Sequence, residues 1–187
     1  MRADAAQRRE AIISHARHLF AERGGDVALE AVAAASGVGI ATLYRNFPSR
    51  RDLVQAVITD TVQQILEAVA RAREVADHNP GAAWEKLLSV LMGLELGALT
   101  DGLGLQTDQG AHETSVFADI QQPALDALDE LLRVLQRGKA VRPGISALEV
   151  IVAVATITRP QVSPIRDAAP DVHSQLAQAY LLWTRTV

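Results

Sequence analysis

"SGVGIATLYRNF", residues 36–47, decides how the rest of this chain is read. Gly37 makes a turn, and the run behind it is long enough for about two helical turns. That run carries Thr42, Tyr44, Arg45 and Asn46 among the apolar Ile40, Leu43 and Phe47. So short a helix with so many hydrogen-bonding side chains needs one side to pack and the other to meet something polar. Directly upstream, the segment from Leu29 to about Ala35 turns Leu29, Val32 and Ala33 towards one side, and Gly37 breaks it.

Two short helices joined by a glycine turn are the helix-turn-helix plan. Ala33 is small where the two helices cross, and Gly37 supplies a positive φ in the turn. Leu43 plugs the second helix into a core. In that plan the second helix, Ile40 to about Asn46, points its N-terminal turns at base edges in a major groove. Its outward residues are Gly39, Ile40, Ala41, Thr42, Arg45 and Asn46.

Working outward, Ile12, Ile13, Ala16, Leu19 and Phe20 recur at helical spacing ahead of Gly24-Gly25, which predicts a first helix closed by glycine. Behind the quoted stretch, Pro48-Ser49 ends one helix and starts the next, with Asp52 placed for a near capping box. A long fourth helix is predicted over residues 50–75, and a fifth from about Ala82 to Leu99 after Asn79-Pro80-Gly81. Residues 100–115 are aperiodic and read mostly as loop. "QPALDALDELLRVLQRG" is amphipathic, with Leu125, Leu128, Leu131, Leu132 and Leu135 on one face. Ser146 and Glu149 form a capping box for "ALEVIVAVATIT", and a last helix spans about Ala168 to Thr184. The fold class is all-α.

Charge separates along the chain. Residues 1–55 hold eight Arg against six Asp or Glu, net +2, while residues 56–187 hold ten against sixteen, net −6. Affinity for phosphates therefore belongs to the N-terminal third. With no cysteine there is no disulfide framework and no thiolate zinc site. His15 and His18 lie three apart with no third ligand evident, and HExxH, nucleophile-elbow and P-loop patterns are absent. No catalytic residue, metal or cofactor is expected. A soluble cytoplasmic protein with no membrane partner is expected, because no apolar stretch is long enough for a signal peptide or a membrane span.

Residues 9–55 resemble the DNA-binding domain of the TetR family of bacterial transcriptional regulators. The likeness lies in "AIISHARHLFAERG", "LEAVAAASGVGIATLYRNFPSRRDLVQAV" and the aromatic-Pro-Ser-basic joint "NFPSR". It implies a three-helix helix-turn-helix domain over residues 1–49, followed by a larger helical effector-binding and dimerisation domain over 50–187, with helix 50–75 linking the two. It makes Thr42 and Tyr44 phosphate contacts, and Arg45 and Asn46 candidates for base edges or phosphates. Arg50 stands where the family usually has a phosphate-binding lysine. Two positions depart from the pattern: Ala28 and Gly39 stand where threonine and serine are common, so both helix starts lack a hydroxyl cap.

The resemblance also implies a homodimer on a roughly palindromic double-stranded operator, released by a small-molecule effector in the C-terminal domain. The sequence supports a dimer separately. The helix over about 145–158 is apolar nearly all round, and the one over 168–184 has Val172, Leu176, Tyr180 and Trp183 on one stripe with Leu181 and Leu182 off it. Two apolar faces need two partners: the chain's own core takes one, and a second subunit is the simplest candidate for the other, the alternative being a well-filled monomer core. Trp84, Leu88, Met92, Glu95, Phe117 and Leu128 are the candidate effector lining, or else plain core. Helical spacing sets Glu95 beside Trp84, Leu88 and Leu91 on an inner face. There it serves a cationic or hydroxyl-bearing ligand, pairs with Arg159 or Arg166, or reaches water near a helix end. The alternative function is a helical ligand-carrier or protein-interaction module that has lost sequence-specific DNA binding.

Overall fold

The computed structural model describes residues 2–23, 27–102, 111–161 and 163–185. Within them it holds ten α-helices: α1 (Arg2–Arg23), α2 (Leu29–Ala35), α3 (Ile40–Asn46), α4 (Arg50–Ala76), α5 (Pro80–Gly93), α6 (Leu96–Gly102), α7 (Ala111–Arg137), α8 (Ala147–Ile157), α9 (Ser163–Ala168) and α10 (Val172–Arg185). No strand occurs among the described residues. The chain divides into two compact units, Met1–Thr61 with Ala98–Ile120, and Val62–Gly97 with Gln121–Val187.

In the first unit the apolar side chains predicted from spacing do gather. Ile12, Ala16, Phe20, Val32, Leu43, Leu53 and Val57 are fully buried in one core that also takes Ala33, Phe47 and Leu99. Each large side chain removed from water contributes roughly 1.5–3 kcal/mol, which holds helices too short to persist alone. The start of α4 is fixed as the sequence predicts: Ser49 Oγ and N–H both donate to Asp52, and the Asp52 N–H returns a bond to Ser49 Oγ. Gly24 and Gly25, expected to close α1, lie outside the described residues.

In the second unit, Leu128, Leu131, Leu132 and Leu135 of α7 are buried, as are Trp84, Leu87, Leu88 and Leu91 of α5. The indole N–H of Trp84 donates to Thr184 Oγ1 at 2.9 Å. The capping box of α8 forms from Ser146 and Glu149.

Four boundaries differ from the sequence reading. The predicted helix 82–99 is two helices, because α5 ends at Gly93 and the N–H groups of Leu94 and Glu95 fold back to Leu91, Met92 or both. Glu95 takes φ +51°, a left-handed value uncommon for a side-chain-bearing residue. The break redirects the chain so that Gly97 can lie against the end of α8. A Cβ on Gly97 would sit 1.9 Å from the Ala155 carbonyl oxygen, and its N–H donates to Thr158 Oγ1 at 2.9 Å.

The stretch 100–115 is helical at both described ends, in α6 to Gly102 and in α7 from Ala111; residues 103–110 lie outside the description. The amphipathic segment beginning at Gln122 is the later part of α7, which runs through an exposed Pro123 despite the hydrogen bond that proline forfeits. Finally, the predicted last helix, about Ala168 to Thr184, begins later, as α10 at Val172, and an unpredicted short α9 precedes it; Pro170 lies between them, where the missing N–H and the restriction on the preceding residue favour a stop.

Candidate nucleic-acid interface

The turn between α2 and α3 is built from the backbone outward. Ser36 Oγ donates to Val32 O at 2.6 Å, and Val38 N–H reaches back to Ala33 O at 3.0 Å. Gly37 takes φ +68° with no atom near where a Cβ would lie. Conformation, not space, therefore requires glycine at this point. Ala28 and Gly39 sit at the N-caps of α2 and α3 in extended conformation, and neither helix receives a side-chain cap. Leu43 and Phe47 anchor α3 from below, at 0% and 1% exposure.

That anchoring turns the remaining residues out. Gly39, Ile40, Ala41, Tyr44 and Arg45 are exposed, and Thr42 and Asn46 are half-buried. Arg45 Nη2 donates to Thr42 Oγ1 at 3.0 Å, and Asn46 Nδ2 to Thr42 O at 2.8 Å. The face thus presents a guanidinium, a phenol, a hydroxyl and an amide on one short helix. Those groups suit phosphate oxygens and base edges: arginine is bidentate towards guanine, asparagine towards adenine.

Arg50 has a structural use that spacing did not reveal. Its guanidinium lies 5.0 Å from the Phe20 ring centroid, and Nη1 donates to the Val27 carbonyl, tying the first turn of α4 to the residues just before α2. A guanidinium has five N–H donors, so this use and a phosphate contact are compatible. Sequence reasoning missed Arg9. Its Nη1 donates to Asn46 O at 3.3 Å, and its Cζ lies 4.3 Å from the Phe47 ring centroid. The partners are 37 residues apart, and no local pattern carries such a pairing.

The six candidate lining residues do not share one environment. Trp84, Leu88 and Leu128 are buried at 0–3% exposure and Met92 is half-buried. The side chains of Phe117 and Arg166 lie outside the described residues. Glu95 is not on the inner face of a helix: it is exposed, in the turn between α5 and α6, because α5 ends two residues before it. Of the three placements open to it, the one near a helix end in water is the one found.

A helix-turn-helix with one face buried and the second helix turned out with polar side chains is the arrangement found in DNA-binding domains. Residues 12–57 match the family model for bacterial regulatory proteins of the tetR family. A TetR transcriptional regulator from Streptomyces coelicolor is 26% identical, with 96% of this chain and 99% of that one covered at a TM-score of 0.67. A TetR transcription regulatory protein from Mycobacterium vanbaalenii is 29% identical, over 95% and 97% of the two chains, at a TM-score of 0.63. The TetR-like regulator LfrR from Mycobacterium smegmatis, solved in complex with proflavine, shares the fold at 23% identity, 97% coverage of both chains and a TM-score of 0.63. No curated protein sequence matches the chain significantly. Residues 12–57 thus carry the DNA-binding domain of the tetR family, and the chain is a TetR-like transcriptional regulator. Among its described residues no helix is long and apolar enough to cross a membrane.

Proposed function

We propose that this regulator is a homodimeric repressor that reads a palindromic operator with α3 and is released from it by a small-molecule effector. The observation that carries the reading is the division of α3. Leu43 and Phe47 are spent on the core, while Ile40 and Tyr44 stand 38% and 46% exposed beside Arg45. Apolar and aromatic groups exposed next to a cation on a rigidly seated helix favour a groove as their partner. Gly39, Ile40, Ala41, Thr42, Arg45 and Asn46 face that groove, and Tyr44 and Arg50 hold phosphates.

The dimer rests on α8 and α10. Leu148 and Val152 on α8 are 59% and 55% exposed, and Val172, Leu176, Leu182 and Trp183 on α10 are exposed between 42% and 67%. Leu148 and Val152 lie four apart on α8, as do Val172 and Leu176 on α10 with Trp183 seven further on, and they make an apolar surface that one chain leaves open to water and a second copy covers most simply. Residues 1–49 form the reading domain in this account, and 50–187 receive the effector. LfrR with proflavine is a protein of this fold holding a small molecule, and effector release here follows the family pattern. An effector that prefers the conformation with the wrong separation of reading helices shifts the population away from DNA. No enzymatic step and no cofactor enter the account.

Selection of bound sequences from a random duplex pool, with the purified chain at near-physiological salt, tests the reading. Enrichment of a two-fold symmetric site is expected. A pool that stays random around a folded, dimeric protein overturns it in favour of a carrier or interaction module.

A further inference from the structure

The C-terminal end of α3 is closed from outside its own helix. Carbonyls in the last turn of a helix lack intrahelical donors, and that end carries the negative pole of the helix dipole. Asn46 is the last residue of α3 and Phe47 its C-cap. Arg9, on α1, engages both: its Nη1 donates to Asn46 O at 3.3 Å and its guanidinium covers the Phe47 ring with Cζ 4.3 Å from the centroid. Within α3 the same turn is held by Phe47 N–H to Leu43 O at 2.8 Å and Asn46 Nδ2 to Thr42 O at 2.8 Å. The opposite end, at Gly39, has no side-chain cap. A seven-residue helix with one bare end depends on tertiary ties for its register.

We infer that Arg9 is a positioning residue for sequence reading, a cap supplied by α1 that fixes the last turn of α3 and with it Tyr44, Arg45 and Asn46. The inference rests on the proposal that α3 reads DNA. Its two anchors act differently. The hydrogen bond satisfies an orphan carbonyl, and the cation over the ring holds Phe47 against the core. Arginine suits both at once, because its planar fork stacks and donates together. Lysine keeps the charge but loses the stacked plane, and glutamine, two atoms shorter, loses both the charge and the reach to Asn46 O.

Arg9→Gln and Arg9→Lys in the full chain test this with two readouts. Without DNA, amide hydrogen exchange in the last turn of α3 is expected to quicken about tenfold in Arg9→Gln, the size of one hydrogen bond and one cation–π contact together. Exchange in the middle of α4 should not change. With DNA, the preference for the symmetric duplex recovered by the wild-type chain over a scrambled duplex is expected to fall about tenfold, with the salt dependence unaltered. Arg9→Lys should recover part of both losses.

Unchanged exchange combined with a salt slope reduced by about one makes Arg9 a phosphate contact and overturns the inference. Faster exchange throughout the first unit, with discrimination intact, makes it a fold-holding residue and overturns it as well. If the wild-type chain enriches no sequence, the DNA-reading proposal itself fails, while the exchange arm still decides whether Arg9 caps α3.

Discussion

Trp84 and Thr184 stand 100 residues apart in the chain and meet in the buried interior of the second unit, the indole N–H donating to Thr184 Oγ1 at 2.9 Å. Both are 0% exposed, so neither group has water as an alternative partner. Thr184 Oγ1 in turn donates to Leu181 O at 2.8 Å, which fixes its proton and leaves a lone pair for the indole. Thr184→Val keeps the shape and leaves that indole N–H unpaired. The expected cost is about 1–3 kcal/mol, read as a lower denaturant midpoint with an unchanged slope. A midpoint equal to that of the wild type would contradict the buried bond.

Gly97 and Gly93 separate space from propensity. Gly97→Ala drives a Cβ into the Ala155 carbonyl and the Arg159 backbone, none of which is a flexible side-chain end. A loss of at least about 1–3 kcal/mol is expected, since the end of α8 must move. Gly93→Ala meets nothing within 4 Å and sits in α5. It should stabilise by about 0.5–1 kcal/mol. Thermal unfolding of the two variants side by side checks both signs.

Tyr180 titrates late. Burial, and then the Glu149 carboxylate, push its phenol up to about 12 from an ordinary value of 10.0. The folded state therefore keeps a proton that the unfolded state releases first. Stability from this group is complete below pH 10 and is lost as the pH rises towards 12. Ultraviolet difference spectra at high pH should show one late-titrating tyrosine, and Glu149→Gln should bring it earlier. The Glu149 carboxyl is itself held below its usual range by the Ser146 backbone N–H and hydroxyl. Its capping bonds therefore persist at neutral pH and are lost as acid protonates it.

Leu148→Glu combined with Val152→Glu places two carboxylates on the exposed stripe of α8. Sedimentation should show monomers at micromolar concentration, with helical content kept because neither side chain is in the chain's own core. Operator affinity should fall by about a hundredfold or more, because the second half-site is no longer bound as an intramolecular event. A dimer that survives the double change would move the interface elsewhere.

What could be read from residues alone was what is local. α2 and α3 follow from the turn at Gly37 and the plug at Leu43, and the starts of α4 and α8 from Ser49 with Asp52 and Ser146 with Glu149. What escaped was set by distant partners. The break before Gly97 serves a helix some sixty residues further on, since its N–H bonds Thr158. Arg9 finds Asn46 across 37 residues. Periodicity assigned Glu95 an inner face because it assumed an unbroken helix, and the exposed turn follows once α5 stops at Gly93. α7 also runs upstream through Pro123, beyond the amphipathic stretch that periodicity picks out.

The most direct test of the central claim repeats the duplex selection with Arg45→Ala beside the wild-type chain, and with Arg50→Ala as the comparison. Arg45 is exposed on α3 and bonds Thr42 Oγ1 of the same helix. Arg45→Ala is expected to return a symmetric site whose preferred base has changed or relaxed at one position in each half, a loss of about 1–3 kcal/mol there. Arg50→Ala should return the wild-type site with weaker binding to all sequences and a shallower salt dependence. It should also lower the melting temperature, because Val27 and Phe20 lose their partner. If Arg45→Ala enriches the wild-type sequence with undiminished preference at every position, α3 does not read the bases as described.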